Sequence, residues 1–186
     1  MLKDFNKSGD DVAEISASKL AKLDRYQKFD KKFPFYRMDI NGYALRIKEA
    51  MQIEANEAGA TNIFNIHTIK LATLQNVFEL HASWSDLKNE KSDFVQFLNA
   101  VCAEEGSPNV FSTTKLRVLG LLWCEGGDKE KAFEFYENLQ DNDQPKISCT
   151  DKDFKPNFFG LLDLASEQVV KMEARFSGNP QELSDE

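Results

Sequence analysis

The chain has 186 residues, 41% of them apolar, which suffices for one domain or two closely packed halves with a real core. Its 31 acidic residues outnumber its 23 basic ones and leave a net charge of −8, which argues against nucleic acid and against a membrane surface as the main partner. No apolar run approaches the roughly 20 residues that span a bilayer. The charged N-terminus is unlike a signal peptide, and we therefore expect a cytoplasmic protein.

Residues 1–36 are predicted to form an N-terminal arm with one helix. Residues 12–33 have helical composition, and Pro34 stops the helix or follows it closely. A short aromatic patch is placed to anchor this arm to the rest of the protein: Phe33, Phe35 and Tyr36.

A helix, a short extended piece and a second helix are predicted between residues 41 and 80. Apolar residues recur at the helical period from Asn41 to Ala58, and Gly59 is well placed to end that helix. Residues 63–66 read as extended. A second helix follows, with its apolar residues at Leu71, Leu74, Val77 and Phe78.

Two central helices are predicted next. Ser92 resembles the N-cap of the first, which Gly106 and Pro108 end. The second starts at Thr113 or Thr114, and because it is apolar on all sides we expect it to be buried. Trp84, before these helices, either fills a gap between helices or lines a groove, and we favour the gap.

Another helix, loop and helix are predicted over residues 128–172. Asp128 caps the first helix, and the second runs from about Asp153 to Met172. The first carries Ala132, Phe135, Tyr136 and Leu139 on one face. Residues 37–176 thus form an all-α domain with additional helices, and residues 177–186 form a disordered acidic tail.

The stretch from Phe133 to Phe159 resembles an EF-hand, a helix–loop–helix unit that binds calcium. The resemblance covers residues 128–172 and, more faintly, 41–80. It implies that the two units pair through short strands in their loops. The piece at 63–66 would then pair with the piece around Ile147.

The EF-hand resemblance predicts positions for calcium ligands, and in this chain most of them lack a suitable oxygen. With Ile147 as the apolar eighth residue of a twelve-residue loop, the loop begins at Gln140 and ends at Asp151. Pro145 then replaces the glycine that permits the sharp turn. This register supplies one carboxylate, and that carboxylate is shorter than the usual Glu.

An alternative register restores two carboxylates at the start of the loop. It makes Asp141 the first residue and Asp143 the third, but it places Lys152 at the twelfth position. We expect the loop to keep the EF-hand shape without the ion, and no cofactor is predicted. If calcium binds, the candidate metal ligands are Asp141, Asp143 and Asp151.

A cysteine nucleophile would need a histidine within hydrogen-bond reach. The candidates are Cys102, Cys124 and Cys149 with His67 or His81. Because Cys102 and Cys124 fall on apolar helix faces, they are interpreted as small core residues. We predict no catalytic residues and no enzyme activity.

The predicted function is therefore non-enzymatic protein interaction or scaffolding on a degenerate EF-hand pair. EF-hand relatives take a partner's amphipathic helix into an apolar groove, so the expected partner is such a helix or a cytoskeletal protein. The alternative is a calcium sensor or buffer with one irregular loop.

Overall fold

The computed structural model describes Lys28, residues 31–139 and residues 154–163. This part of the chain is mostly helical. Its α-helices are α1 (Ile40–Ala58), α2 (Leu71–Val77), α3 (Asp93–Val101), α4 (Thr113–Trp123), α5 (Asp128–Leu139) and α6 (Phe154–Asp163), and its 3₁₀ segments are Pro34–Arg37, Ile63–Asn65 and Ala82–Lys88. Among these residues no helix has both the length and the apolar character needed to cross a membrane.

Helix α1 confirms the predicted helix over 41–58. It begins one residue earlier because Asp39 caps it, accepting a hydrogen bond from the backbone N–H of Gly42 at 2.8 Å. Gly59 ends it in the left-handed conformation, with φ at 66°. The inner face of α1 recurs at the helical period and comprises Ile40, Tyr43, Ala44, Ile47, Ala50, Met51, Glu54 and Ala55.

A small antiparallel sheet corrects the expected all-α class. Its strands are β1 (Thr68–Lys70), β2 (Ala103–Glu104) and β3 (Ser107–Ser112), in the order β1-β3-β2. Ile69 lies opposite Phe111, and both side chains are completely buried. Strands β1 and β2, with three and two residues, are too short to show the alternation that identifies a strand in a sequence, so their pairing with β3 defines them.

The strand after α1 lies further along the chain than predicted. Residues 63–65 form a 3₁₀ turn because the side chain of Asn62 accepts a hydrogen bond from the N–H of Phe64 at 2.9 Å. The strand follows at Thr68, and its partner β3 lies between the two central helices, α3 and α4. Strand β1 therefore pairs with a strand that lies between the central helices. Ile147, the predicted pairing partner, lies outside the described residues.

Asn109, the third residue of β3, has an unusual backbone conformation. It is the one non-glycine residue of the described chain with a positive φ, at 63°. Its backbone N–H donates to the side-chain oxygen of Asn99 at 2.7 Å, and the Asn99 amide donates back to its side chain at 2.9 Å. This pair of hydrogen bonds ties the hairpin to α3. Gly106 and Pro108, predicted to end a helix, belong to this hairpin instead.

Aromatic rings fill the centre of the core. The ring of Phe33 stacks on Phe97 at 4.5 Å, and Phe35 meets Trp84 edge-on at 5.2 Å. The hydroxyl of Tyr43 donates to the backbone carbonyl of Leu116 at 2.8 Å, which joins α1 to α4. Phe33 and Phe35 thus attach the N-terminal segment to the body as predicted, whereas residues 1–27 lie outside the description.

Helix α5 lies beside α1 and runs in the same direction. A backbone bridge joins Asp39 to Glu125 just before both helices begin, and further along the ammonium of Lys48 lies 3.6 Å from the carboxylate of Glu137. The predicted face of α5 is only partly confirmed, because Phe135 packs against the core while Ala132 and Tyr136 are exposed. Helix α6 packs on α4, and the rest of the helix predicted to reach residue 172 lies outside the described residues.

Candidate functional site

A buried carboxylate connects the two helices of the first unit. Glu54 is 8% exposed and accepts hydrogen bonds from the hydroxyl of Thr73 at 2.5 Å and from the backbone N–H of Lys70 at 3.0 Å. The ammonium of Lys70 lies 3.2 Å from its second oxygen and 2.7 Å from the carboxylate of Glu57. These four residues, called here the Glu54 cluster, hold the end of α1 against β1 and α2.

Opposing effects set the pKa of Glu54. Burial disfavours its charged form, but the hydrogen bonds from Thr73 and Lys70 and the positive charge of Lys70 together outweigh that penalty, so the pKa lies below its usual value. The pKa of Lys70 is raised, first by its hydrogen bonds to Glu57 and Glu54 and then by their charges. Both groups are therefore ionised at neutral pH, and the ammonium compensates the carboxylates.

The Glu54 cluster lies where α1, β1 and α2 meet. A lysine side chain supplies the positive charge there, and the cluster contains only two carboxylates. Calcium takes six to eight oxygen ligands. Within the described residues no group of three acidic, histidine or cysteine side chains could hold a metal ion. Asp141, Asp143 and Asp151, the predicted ligands, lie outside those residues.

The two cysteines that the structure describes are buried, as the sequence predicts. Burial raises the pKa of the Cys124 thiol to about 12 and that of Cys102 well above its usual value. At neutral pH both are therefore thiols rather than the reactive thiolates. Cys149 lies outside the described residues.

The two histidines, His67 and His81, contact neighbouring parts of the fold. The backbone carbonyl of His67 accepts from the N–H of Thr113 at 2.9 Å, which links the loop before β1 to the start of α4. The ring of His81 lies edge-on to Phe78 at 6.1 Å. These contacts fasten loops to the body.

A partly buried arginine lies between α4 and α5. Burial lowers the pKa of Arg117, and the charges of Glu134 and Glu137 offset only part of that effect. Glu134 is 6% exposed. The apolar contact of Phe135 with the core attaches α5 to the body in the same region.

Trp84 fills a gap between helices, the reading favoured from the sequence. It is 4% exposed, and its ring stacks on Phe78 at 4.0 Å. Among the described residues its indole N–H has no hydrogen-bond partner. The ring therefore contributes through packing and leaves no groove at this position.

Several large apolar side chains remain exposed outside the core. Leu45 on α1 is 62% exposed and Phe133 on α5 is 57% exposed. The others are Leu80, Tyr136, Phe158, Phe159 and Leu162. Five of these seven residues belong to α5 and α6, so the exposed large apolar side chains of the described structure are concentrated on these two helices.

Sequence reasoning overlooked the Glu54 cluster and the exposed Leu45, although both left a signal in the sequence. Glu54 occupies a core position in the apolar stripe of α1, where a charged residue needs a partner. Leu45 lies off that stripe, where a leucine contributes nothing to the core.

Comparisons of this chain with protein-family models, with curated proteins and with solved structures found no match.

Proposed function

We propose that this protein is a non-enzymatic interaction or scaffold protein, built on an EF-hand-like pair and binding its protein partner without calcium. The observation that carries the proposal is the Glu54 cluster, in which the ammonium of Lys70 pairs with the carboxylates of Glu54 and Glu57 at the end of α1. Exposed apolar residues on α1, α5 and α6 provide surface for a partner. Buried free thiols at Cys102 and Cys124 fit a reducing compartment such as the cytoplasm.

Strand pairing supports the EF-hand-like reading with a new register. If Phe111 is the apolar eighth residue of the second loop, Glu104 is the first and Asn109 the sixth. The sixth position of an EF-hand loop requires a sharp turn and is usually Gly. Asn109 has the positive φ that such a turn needs. The twelfth position, where calcium needs a bidentate Glu, is Lys115.

The first loop has lost its ligands in a comparable way. With Ile69 as the eighth residue, Asn62 is the first, Lys70 the ninth and Thr73 the twelfth. Thr73 cannot chelate calcium, and its hydroxyl instead binds Glu54. In both loops a lysine contributes positive charge where an ion would require negative charge, which supports calcium-independent binding.

A calcium titration of the metal-free protein, followed by amide NMR, tests the calcium half of the proposal. We expect no shifts in residues 54–73 and 104–115 at 1 mM calcium, about a hundredfold above the upper end of the range of calcium sensors. The matched control replaces Asp141, Asp143 and Asp151 together by Asn. Saturable shifts at micromolar calcium that this triple variant abolishes would make the protein a calcium sensor or buffer and overturn the proposal.

Cross-linking in cell extract with a calcium chelator present tests the interaction half. Each recovered protein is purified and titrated back onto the full chain by calorimetry. We expect at least one saturable complex whose dissociation constant is unchanged by adding calcium. If no recovered protein rebinds, the protein is not an interaction protein of this kind.

A further inference from the structure

An exposed apolar pair lies on the seam between α1 and α5. Leu45 is one helical turn before Lys48, and Phe133 is one turn before Glu137. Lys48 and Glu137 bridge the two helices at 3.6 Å. Each apolar residue therefore shares a helix stripe with one member of a contact that crosses the seam.

The two apolar residues also lie at similar heights along the seam. The contact between Lys48 and Glu137 sets the relative height of the two helices. Leu45 is three residues before Lys48, and Phe133 is four residues before Glu137. At 1.5 Å per residue, they lie about 4.5 Å and about 6 Å before that contact. Leu45 and Phe133 thus lie at similar heights on the two sides of the seam, and they are here called the seam pair.

The end of the seam that lies before this pair is acidic. Asp39 and Glu125 are bridged there through their backbones, and Asp128 and Glu130 occupy the first turn of α5. All four of these acidic residues are exposed. The first turn of α5 also carries two basic residues, Lys129 and Lys131, so acidic residues outnumber basic ones here. The seam therefore presents an apolar pair next to an excess of negative charge, on a chain whose net charge is −8.

We propose that this seam binds an amphipathic helical segment of a partner protein that carries both apolar and basic side chains. An apolar side chain of the segment would pack between Leu45 and Phe133, and Lys or Arg residues one turn away would face Asp39, Glu125 and the start of α5. A second copy of this chain is the less suitable occupant, because each copy carries a net charge of −8 and two copies repel each other. The inference rests on the proposed interaction function and specifies its partner.

The test uses a labelled synthetic helix of alternating leucine and lysine stripes, with a glutamate-for-lysine peptide of equal length as its counterpart. The affinity is measured at low salt from the fluorescence anisotropy of each labelled peptide as the full chain is added. We expect the lysine peptide to bind, the glutamate peptide to bind at least tenfold more weakly, and Leu45→Ala and Phe133→Ala each to weaken the lysine peptide about tenfold. The matched control is Leu80→Ala, which removes a leucine that is 92% exposed elsewhere.

Three outcomes would overturn the inference. The first is equal affinity of both peptides for the protein, and the second is equal weakening by Leu80→Ala and by the seam variants. The third is a dimer in sedimentation equilibrium that Leu45→Ala dissociates, which would assign the seam to a second copy. A natural partner could instead be found to bind a variant with both Leu45→Ala and Phe133→Ala as tightly as it binds the unaltered chain. That result would also overturn the assignment of binding to the seam, while leaving the interaction function intact.

Discussion

Removing the carboxylate of Glu54 should destabilise the fold more than removing any exposed carboxylate of α1. In Glu54→Ala, the Thr73 hydroxyl and the Lys70 backbone N–H lose their acceptor within the buried junction. A hydrogen bond to a charged group is worth about 1.5–3 kcal/mol, and the two bonds share one carboxylate. We therefore expect the free energy of unfolding to fall by about 3 kcal/mol, at the upper end of the usual range for single substitutions.

Two further variants separate the carboxylate's charge from its hydrogen bonds. Glu54→Gln keeps one oxygen, which can accept both bonds because both go to the same oxygen of Glu54. It loses the negative charge beside the Lys70 ammonium and should cost about 1–2 kcal/mol. Lys70→Met removes an ammonium on a side chain that is 55% exposed and screened by solvent, so it should destabilise the fold less than Glu54→Gln does. The expected order of destabilisation is thus Glu54→Ala, then Glu54→Gln, then Lys70→Met.

Urea unfolding followed by the fluorescence of Trp84 and Trp123 measures these differences. The control is Glu49→Ala, which removes an exposed carboxylate that pairs with Arg46 at 2.6 Å on the same helix and should cost less than about 0.5 kcal/mol. If Glu54→Ala costs no more than this control, the Glu54 cluster does not hold the first unit together.

The pH dependence of the same comparison checks the sign of the electrostatic argument. The pKa of Glu54 is lowered in the folded state, so ionisation stabilises the fold at pH values above the unfolded value, which is near 4.5. That contribution is lost as the pH falls through the folded value. The stability gap between the unaltered protein and Glu54→Gln should therefore be constant from pH 6 to pH 7 and shrink below about pH 4.5. A gap that widens on acidification would show that the pKa is raised instead.

Two other predictions concern the core. Gly120→Ala should cost about 2–4 kcal/mol in urea unfolding, because a Cβ there would overlap the ring of Tyr43; Gly160→Ala, at an open helical position, should be neutral or stabilising. In a Cys149→Ser background, Cys102 and Cys124 should react with a disulfide reagent at pH 7 at least about a hundredfold more slowly than a free thiol, because burial raises the pKa of both. Fast reaction in the folded protein would place at least one thiol at the surface.

The sequence predicted helices better than it predicted their partnerships. Helix α1 was placed to within one residue because its apolar stripe spans five turns and Gly59 marks its end. The strands were misplaced because Thr68–Lys70 is stabilised by β3, some 40 residues further along the chain, and not by any local pattern. The turn at Asn109 was missed for a similar reason, since its positive φ depends on hydrogen bonds to Asn99.

The candidate site was harder to predict because it combines residues that are distant from one another in the sequence. The EF-hand resemblance drew attention to residues 133–159, where carboxylates are visible in the sequence. The Glu54 cluster combines residues from positions 54 to 73, and only one of them, Glu54, looks unusual by itself. A charge inside an apolar stripe predicts a partner without saying which residue provides it.

The same helix illustrates two opposite departures from its pattern, and each points to a different kind of contact. Glu54 is a polar residue on the buried face of α1, so its compensation had to come from within the chain, and Lys70 and Thr73 provide it. Leu45 is an apolar residue on the exposed face, 62% accessible. Nothing on its own helix stripe covers it, because the next turn carries Lys48, which is engaged with Glu137. Residues of the same chain thus satisfy Glu54. Leu45 is where binding of another molecule would still bury apolar surface.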